Sequence, residues 1–179
     1  GGEVVLQPAA TTLRAVEVFD VTFPGFGGHP VKGWLILPRH RTGRLPLVVQ
    51  FVGYGGGRGL PHEELHWAAS GFAHFKMDTR GQGSVWSLGD TPDPVGSTPA
   101  FPGFMTRGVL DKADYYYRRV YADGVRAVDA MLAQDFIDPD RIAIGGFSAG
   151  GMAAVNVAYG MGEPVQAVIS LSGGMGPFD

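Results

Sequence analysis

The stretch that decides the architecture is Arg141-Ile142-Ala143-Ile144-Gly145-Gly146-Phe147-Ser148-Ala149-Gly150-Gly151-Met152. Arg141 to Gly146 alternates around two β-branched isoleucines and reads as a strand. Met152 to Tyr159 begins or fills a helix. Between them Gly146-Phe147-Ser148-Ala149-Gly150 forms a sharp strand-to-helix turn. A serine on such a turn is forced into a strained backbone conformation, and glycines two residues to either side lack the side chains that would clash. Its hydroxyl then stands at the carboxyl end of the strand, and the helix start behind it offers N–H groups to a developing negative charge. G-x-S-x-G in this context marks Ser148 as the candidate nucleophile and the Ala149 N–H as a candidate oxyanion donor. The five residues alone equally fit an ordinary glycine-rich turn, so the flanking strand and helix carry the reading.

Upstream, the pattern alternates in the same manner. Val16–Phe23 and Val31–Leu37 read as an antiparallel pair across a Gly/Pro turn. Leu45–Val52 is nearly all apolar, as a strand covered on both faces should be. Ala73–Asp78 is a fourth strand, and Val165–Leu171 a sixth, left as an apolar edge. Lys112–Gln134 carries a one-sided apolar stripe (Tyr117, Val120, Tyr121, Gly124, Val125, Val128, Met131, Leu132) and reads as a helix capped by Asp111. Asp138-Pro139-Asp140 is a turn, and 79–109 a long ordered loop. Strand, helix, strand, helix in this order predicts an α/β domain, a mostly parallel sheet with helices on both faces. One domain is expected over 1–179, with no repeat.

Composition excludes several classes. The 29 glycines in 179 residues are more than twice the ordinary share and follow no three-residue period. Net charge −3 gives no electrostatic case for nucleic acid, and no apolar run is long enough for a membrane span. No signal peptide is legible, so the expected compartment is cytoplasmic. Zero cysteines remove disulfides, thiolate metal sites and a cysteine nucleophile.

A second oxyanion donor is expected from the loop after the third strand, where Gly53-Tyr54-Gly55-Gly56-Gly57-Arg58-Gly59 stands, with the Tyr54 N–H as candidate. Glycines there let backbone approach a substrate closely. No G-x-G-x-x-G register or Gly-Lys pair supports a phosphate cradle. His62-Glu63-Glu64-Leu65-His66 matches the zinc-binding H-E-x-x-H pattern on a helix, but no further ligand pattern follows. The plainer reading is a polar helix start.

At this point the residues resemble a known family. Gly53–Gly59, Met77-Asp78-Thr79-Arg80-Gly81-Gln82-Gly83-Ser84, Gly89-Asp90-Thr91-Pro92-Asp93, Pro102–Gly108 and Tyr115–Arg119 are similar to the acetyl xylan esterase/cephalosporin C deacetylase family, carbohydrate esterase family 7. The likeness is dense over about 12–135 and looser from Arg141 onward. It implies an α/β-hydrolase fold, incomplete here on its C-terminal side. It also implies removal of acetyl groups from acetylated sugars or small esters, no metal or cofactor, and homo-oligomeric rings. Arg80-Gly81-Gln82 matches the family's RGQ signature and is expected to shape the floor of the site. The family's serine turn carries Gln where Ala149 stands, which keeps the N–H and loses the side chain.

On this fold the triad order is Ser, then Asp or Glu, then His. After Ser148 the only acids are Glu163 and Asp179, and all five histidines precede residue 75. The general base is therefore missing from its expected place, which predicts a fragment of an esterase. A non-enzymatic oligomer subunit, a zinc hydrolase on His62 and His66, and an esterase of other acyl specificity stay open. His74, inside a strand, is expected in a core or surface role, and Tyr115–Tyr117 are either sugar contacts or the buried face of a helix.

Overall fold

The computed structural model describes residues 2–83, 85–95, 103–162 and 164–171. Among them seven strands make one mixed sheet: β1 (Val5–Pro8), β2 (Val16–Pro24), β3 (Pro30–Pro38), β4 (Leu45–Phe51), β5 (Ala73–Met77), β6 (Ile137–Phe147) and β7 (Ala167–Leu171), in the order β1-β2-β3-β5-β4-β6-β7. The four strands β5, β4, β6 and β7 are parallel, and the β1–β2–β3 meander joins them antiparallel through β3. Helices pack on both faces of this mixed sheet, the arrangement expected of an α/β hydrolase.

Alternation along the strands explains the two layers. Val21, Phe23, Leu35, Leu37, Leu47, Val49, Phe51, Phe75 and Ile144 point to one face, under α2 (Tyr116–Leu132) and α3 (Ala149–Met161). Val16, Val18 and Ile36 point to the other, under the single turn α1 (His66–Ala69). Gly124 lets α2 meet α3, since a Cβ there would lie 2.4 Å from a Val157 methyl. Among the described residues no helix is long and apolar enough to cross a membrane.

Several local expectations are corrected. The helix read over Lys112–Gln134 begins only at Tyr116, because residues 107–114 close a series of tight turns and the Tyr116 N–H donates to the Arg107 carbonyl at 2.9 Å. Asp111 caps no helix; its carboxylate accepts from the Ala113 N–H at 2.8 Å in a local turn. Asp138-Pro139-Asp140 lies within β6, where the pairing slips from Leu45↔Ile137 to Leu47↔Ile142. β1 went unread because four residues on an exposed edge carry no period. The 79–109 stretch holds a 3-10 turn at Phe104–Thr106.

Candidate active site

Ser148 ends the β6 turn and precedes α3 with φ 56° and ψ −122°. A residue bearing a Cβ adopts such a left-handed conformation only at a cost of roughly 1–3 kcal/mol. Its N–H donates to the Leu171 carbonyl of β7 at 2.9 Å, and its carbonyl accepts from the Met152 N–H at 3.1 Å. The motif's two glycines act differently. A Cβ on Gly146 would lie 2.3 Å from the Gly150 carbonyl carbon, so Gly146 lets the turn close. A Cβ on Gly150 would lie 2.3 Å from the Phe51 carbonyl oxygen, so Gly150 seats α3 on the end of β4. The N–H groups of Ala149, Gly150 and Gly151 precede the first intrahelical bond of α3, where the helix concentrates its partial positive charge.

β4 leads straight into the second half of the site. A Cβ on Gly53 would lie 3.1 Å from the Phe147 carbonyl oxygen and 3.8 Å from Ser148 Cβ, so this loop runs alongside the serine. Gly53 to Gly56 form a turn closed by the Gly56 N–H on the Gly53 carbonyl at 3.1 Å, with Gly55 at φ 75° in the third position. That is a type II turn, which needs glycine there. Tyr54, its second residue, stacks its ring on Phe104 at 4.3 Å between centroids. The glycines beyond it make loop–loop contacts rather than an open floor. A Cβ on Gly56 would meet the Trp86 indole at 2.2 Å, and one on Gly57 the Leu88 carbonyl oxygen at 2.1 Å.

Arg80, Gly81 and Gln82 lie beneath that loop. The Gln82 side-chain oxygen accepts from the Gly55 N–H at 3.0 Å, and the Gly81 N–H donates to the Thr91 carbonyl at 2.8 Å. Arg80 is fully buried and grips Asp123 of α2 in fork geometry, Nε at 2.5 Å and Nη2 at 2.7 Å. Its Nη1 also reaches Asp93 at 3.4 Å, and Asp93 is shared with Arg107 at 3.2 Å and Arg119 at 2.9 Å. Asp123 accepts the Phe26 N–H at 2.7 Å as well. Burial pushes the Asp123 carboxyl above the ordinary carboxylate range, against the opposing pull of Arg80. The Tyr116 hydroxyl donates to the Arg80 carbonyl, and burial pushes that phenol up. Asp78, also fully buried, accepts from the Arg58 N–H at 3.0 Å and the Asp90 N–H at 2.6 Å, stitching the 53–59 and 85–90 loops to the end of β5.

The remaining candidates separate from the serine. His62 sits in a turn and His66 opens α1, so the H-E-x-x-H residues do not share a helix. Glu64, at φ 54°, pairs with Lys76 at 3.2 Å. Glu64 and His66 line a hollow of about 220 Å³ with Val48, Gln50, Trp67 and Phe147. His74 is buried with its Nε2 2.8 Å from the Gln50 side-chain oxygen, and burial holds it down from 6.5 to about 4. Tyr116 and Tyr117 are buried, so the sugar-contact alternative fails for both. Among the described residues no histidine or carboxylate meets the Ser148 hydroxyl; Glu163 and Asp179, like Ser84 and Pro102 of the motifs above, lie outside them. Sequence reading passed over Trp86, Asp93 and Asp123. Asp93 had a trace in the Gly89–Asp93 motif, whereas Trp86 and Asp123 had none, since their partners stand 32 and 43 residues away.

Comparison with known proteins brings in the acetyl xylan esterases. The family model described as acetyl xylan esterase (AXE1) covers residues 2–172, which carries the likeness through β6 and the serine turn, beyond the stretch where it first looked dense. The acetyl xylan esterase from Paenibacillus sp. R4 superposes with a TM-score of 0.81 at 36% identity, over 94% of this chain and 54% of that one. Acetyl xylan esterase 1 from Thermoanaerobacterium sp. JW/SL YS485 gives 0.80 at 26% identity, over 94% and 53%. The acetyl esterase Axe7A of Xylanibacter ruminicola is 25% identical over 143 residues, 79% of this chain and 32% of that protein. The chain thus spans about half the length of the solved esterases it resembles and a third of the curated one. With a family model matching nearly all of it, the chain belongs to the acetyl xylan esterase family.

Proposed function

We propose that the protein hydrolyses acetyl esters of sugars or other small alcohols through an acyl-enzyme on Ser148. The observation that carries this is the left-handed Ser148 at the junction of β6 and α3, beside the Gly53–Gly56 turn. In this reading the Ser148 oxygen attacks the acetyl carbonyl. The N–H groups of Tyr54 and Ala149 receive the tetrahedral oxyanion, the alcohol leaves, and water releases acetate. Arg80, Gly81 and Gln82 shape the floor: Gln82 fixes the loop that carries Tyr54, while Arg80 and Gly81 tie the floor to Asp123 and Thr91. The base that takes the serine proton, and the acid that orients it, are assigned to polypeptide outside the described residues. The family match and the esterase neighbours support the acetyl preference. A homo-oligomeric assembly is part of the same proposal and is checked by light scattering.

The test is acetate release from an acetylated xylo-oligosaccharide, with Ser148→Ala alongside and the hydrolysis of acetyl, butyryl and octanoyl esters of one alcohol compared. Release that vanishes in the variant and falls with acyl length is the expected result. Release that survives Ser148→Ala overturns the serine mechanism, and no release at all marks this chain as lacking its base.

A further inference from the structure

The geometry points to Trp86 as a positioning residue for the oxyanion donor, an inference that rests on the esterase reading above. The middle peptide of the Gly53–Gly56 turn joins Tyr54 to Gly55, and both its polar edges are held. Its N–H is the one that Gln82 accepts at 3.0 Å. Its carbonyl, that of Tyr54, accepts from the Trp86 indole Nε1–H at 2.7 Å. Type I and type II turns differ by a flip of this middle peptide. Trp86 and Gln82 therefore grip one plane from opposite sides and hold it in the type II orientation.

The plane before it, which carries the Tyr54 N–H, is set by the Gly56 N–H on the Gly53 carbonyl, at a position where even a Cβ on Gly53 would crowd the Phe147 carbonyl. The φ of the second residue is the same in both turn types, so a flip alone leaves that N–H in place. It is the loss of the Trp86 anchor on the Tyr54 carbonyl that lets Tyr54 rock about its own backbone and loosens the aim of its N–H. The tryptophan is 60% exposed, so its place is not explained by burial in a core. Its ring lies where a Cβ on Gly56 would be, so glycine at 56 is what admits the indole against the turn. Trp86 acts through Tyr54, and its hydrogen bond rather than its bulk carries the effect.

Trp86→Phe keeps the ring and deletes the donor; Trp86→Ala deletes both. For the esterase with Trp86→Phe, kcat should fall on the order of tenfold with KM unchanged within about twofold. Deleting an oxyanion donor outright costs about 10²–10³-fold, and here the donor stays and only its aim loosens. Amide exchange of the peptide spanning 53–57 should quicken several-fold in the same variant. Trp86→Phe with wild-type kcat and wild-type exchange overturns the inference. So does a rise in KM at unchanged kcat, which would make Trp86 a wall of the substrate pocket. No turnover by the wild-type chain bears on the missing base of the esterase reading and not on this inference, and exchange at 53–57 alone then decides: faster supports it, unchanged refutes it.

Discussion

Arg80→Met should be the most costly single change away from the core. Arg80 and Asp123 are both fully buried and meet through two hydrogen bonds of 2.5 and 2.7 Å. Without the guanidinium, Asp93 keeps Arg107 and Arg119, but Asp123 keeps only the Phe26 N–H. The penalty thus concentrates on one orphaned carboxylate, and removing one partner of a buried pair costs about 3–5 kcal/mol. Asp123→Asn preserves shape but turns an acceptor toward Arg80 into a donor, at about 2–3 kcal/mol. Because each change removes the reason the other is harmful, the double variant should recover at least about 1 kcal/mol relative to the sum. Urea unfolding followed by tryptophan fluorescence measures all four corners of the cycle. The pH dependence adds a sign. A carboxyl pushed up by burial destabilises where it is charged and ceases to do so once protonated, so the deficit of Arg80→Met should shrink as pH falls from 8 toward 5. Additivity within about 0.5 kcal/mol, or a deficit that grows on acidification, would refute the argument.

Three further outcomes are expected. Burial holds His74 from 6.5 down to about 4, so the unfolded chain takes up the proton first as pH falls; stability should drop between those values by up to roughly 3 kcal/mol, and His74→Gln should flatten the slope in urea titrations. Gly150→Ala places a Cβ 2.3 Å from the Phe51 carbonyl oxygen, a backbone atom that cannot swing aside, so acetate release should vanish together with about 1–3 kcal/mol of stability. Gly124→Ala should cost a similar roughly 1–3 kcal/mol by wedging α2 from α3, and Val157→Ala should restore part of it in thermal melts.

What could be read from the chain alone follows the range of the interactions. The β6–Ser148–α3 junction is local, so twelve consecutive residues contain both the turn glycines and the periods that flank them. The strands with two covered faces were equally plain, whereas the bond between His74 and Gln50 joins two strands and was not legible. The start of α2 was misread because the apolar stripe ends in charged residues that suit either a helix or the turns they form. The H-E-x-x-H spacing presupposes a helix, and Glu64 at φ 54° breaks it. The ion cluster joins Arg80, Asp93, Arg107, Arg119 and Asp123 from loops and helix, and the Trp86 hydrogen bond spans 32 residues. No periodicity encodes such contacts. They exist only after the sheet has set the loop ends side by side.

The bond from the Ser148 N–H to the Leu171 carbonyl has a consequence for the order in which the molecule matures. Among the described residues β7 pairs with β6 alone. It follows Ser148 along the chain, so during synthesis the serine turn emerges before the strand that fixes its amide. Until it docks, the serine lacks the acceptor that holds its amide in the left-handed state and is free to relax into ordinary backbone. The serine is consequently set only once β7 has docked on β6, and its pose is lost when β7 peels away. A preparation in which β7 had peeled from β6 would keep most of its far-ultraviolet spectrum while its serine no longer sat in the reactive pose.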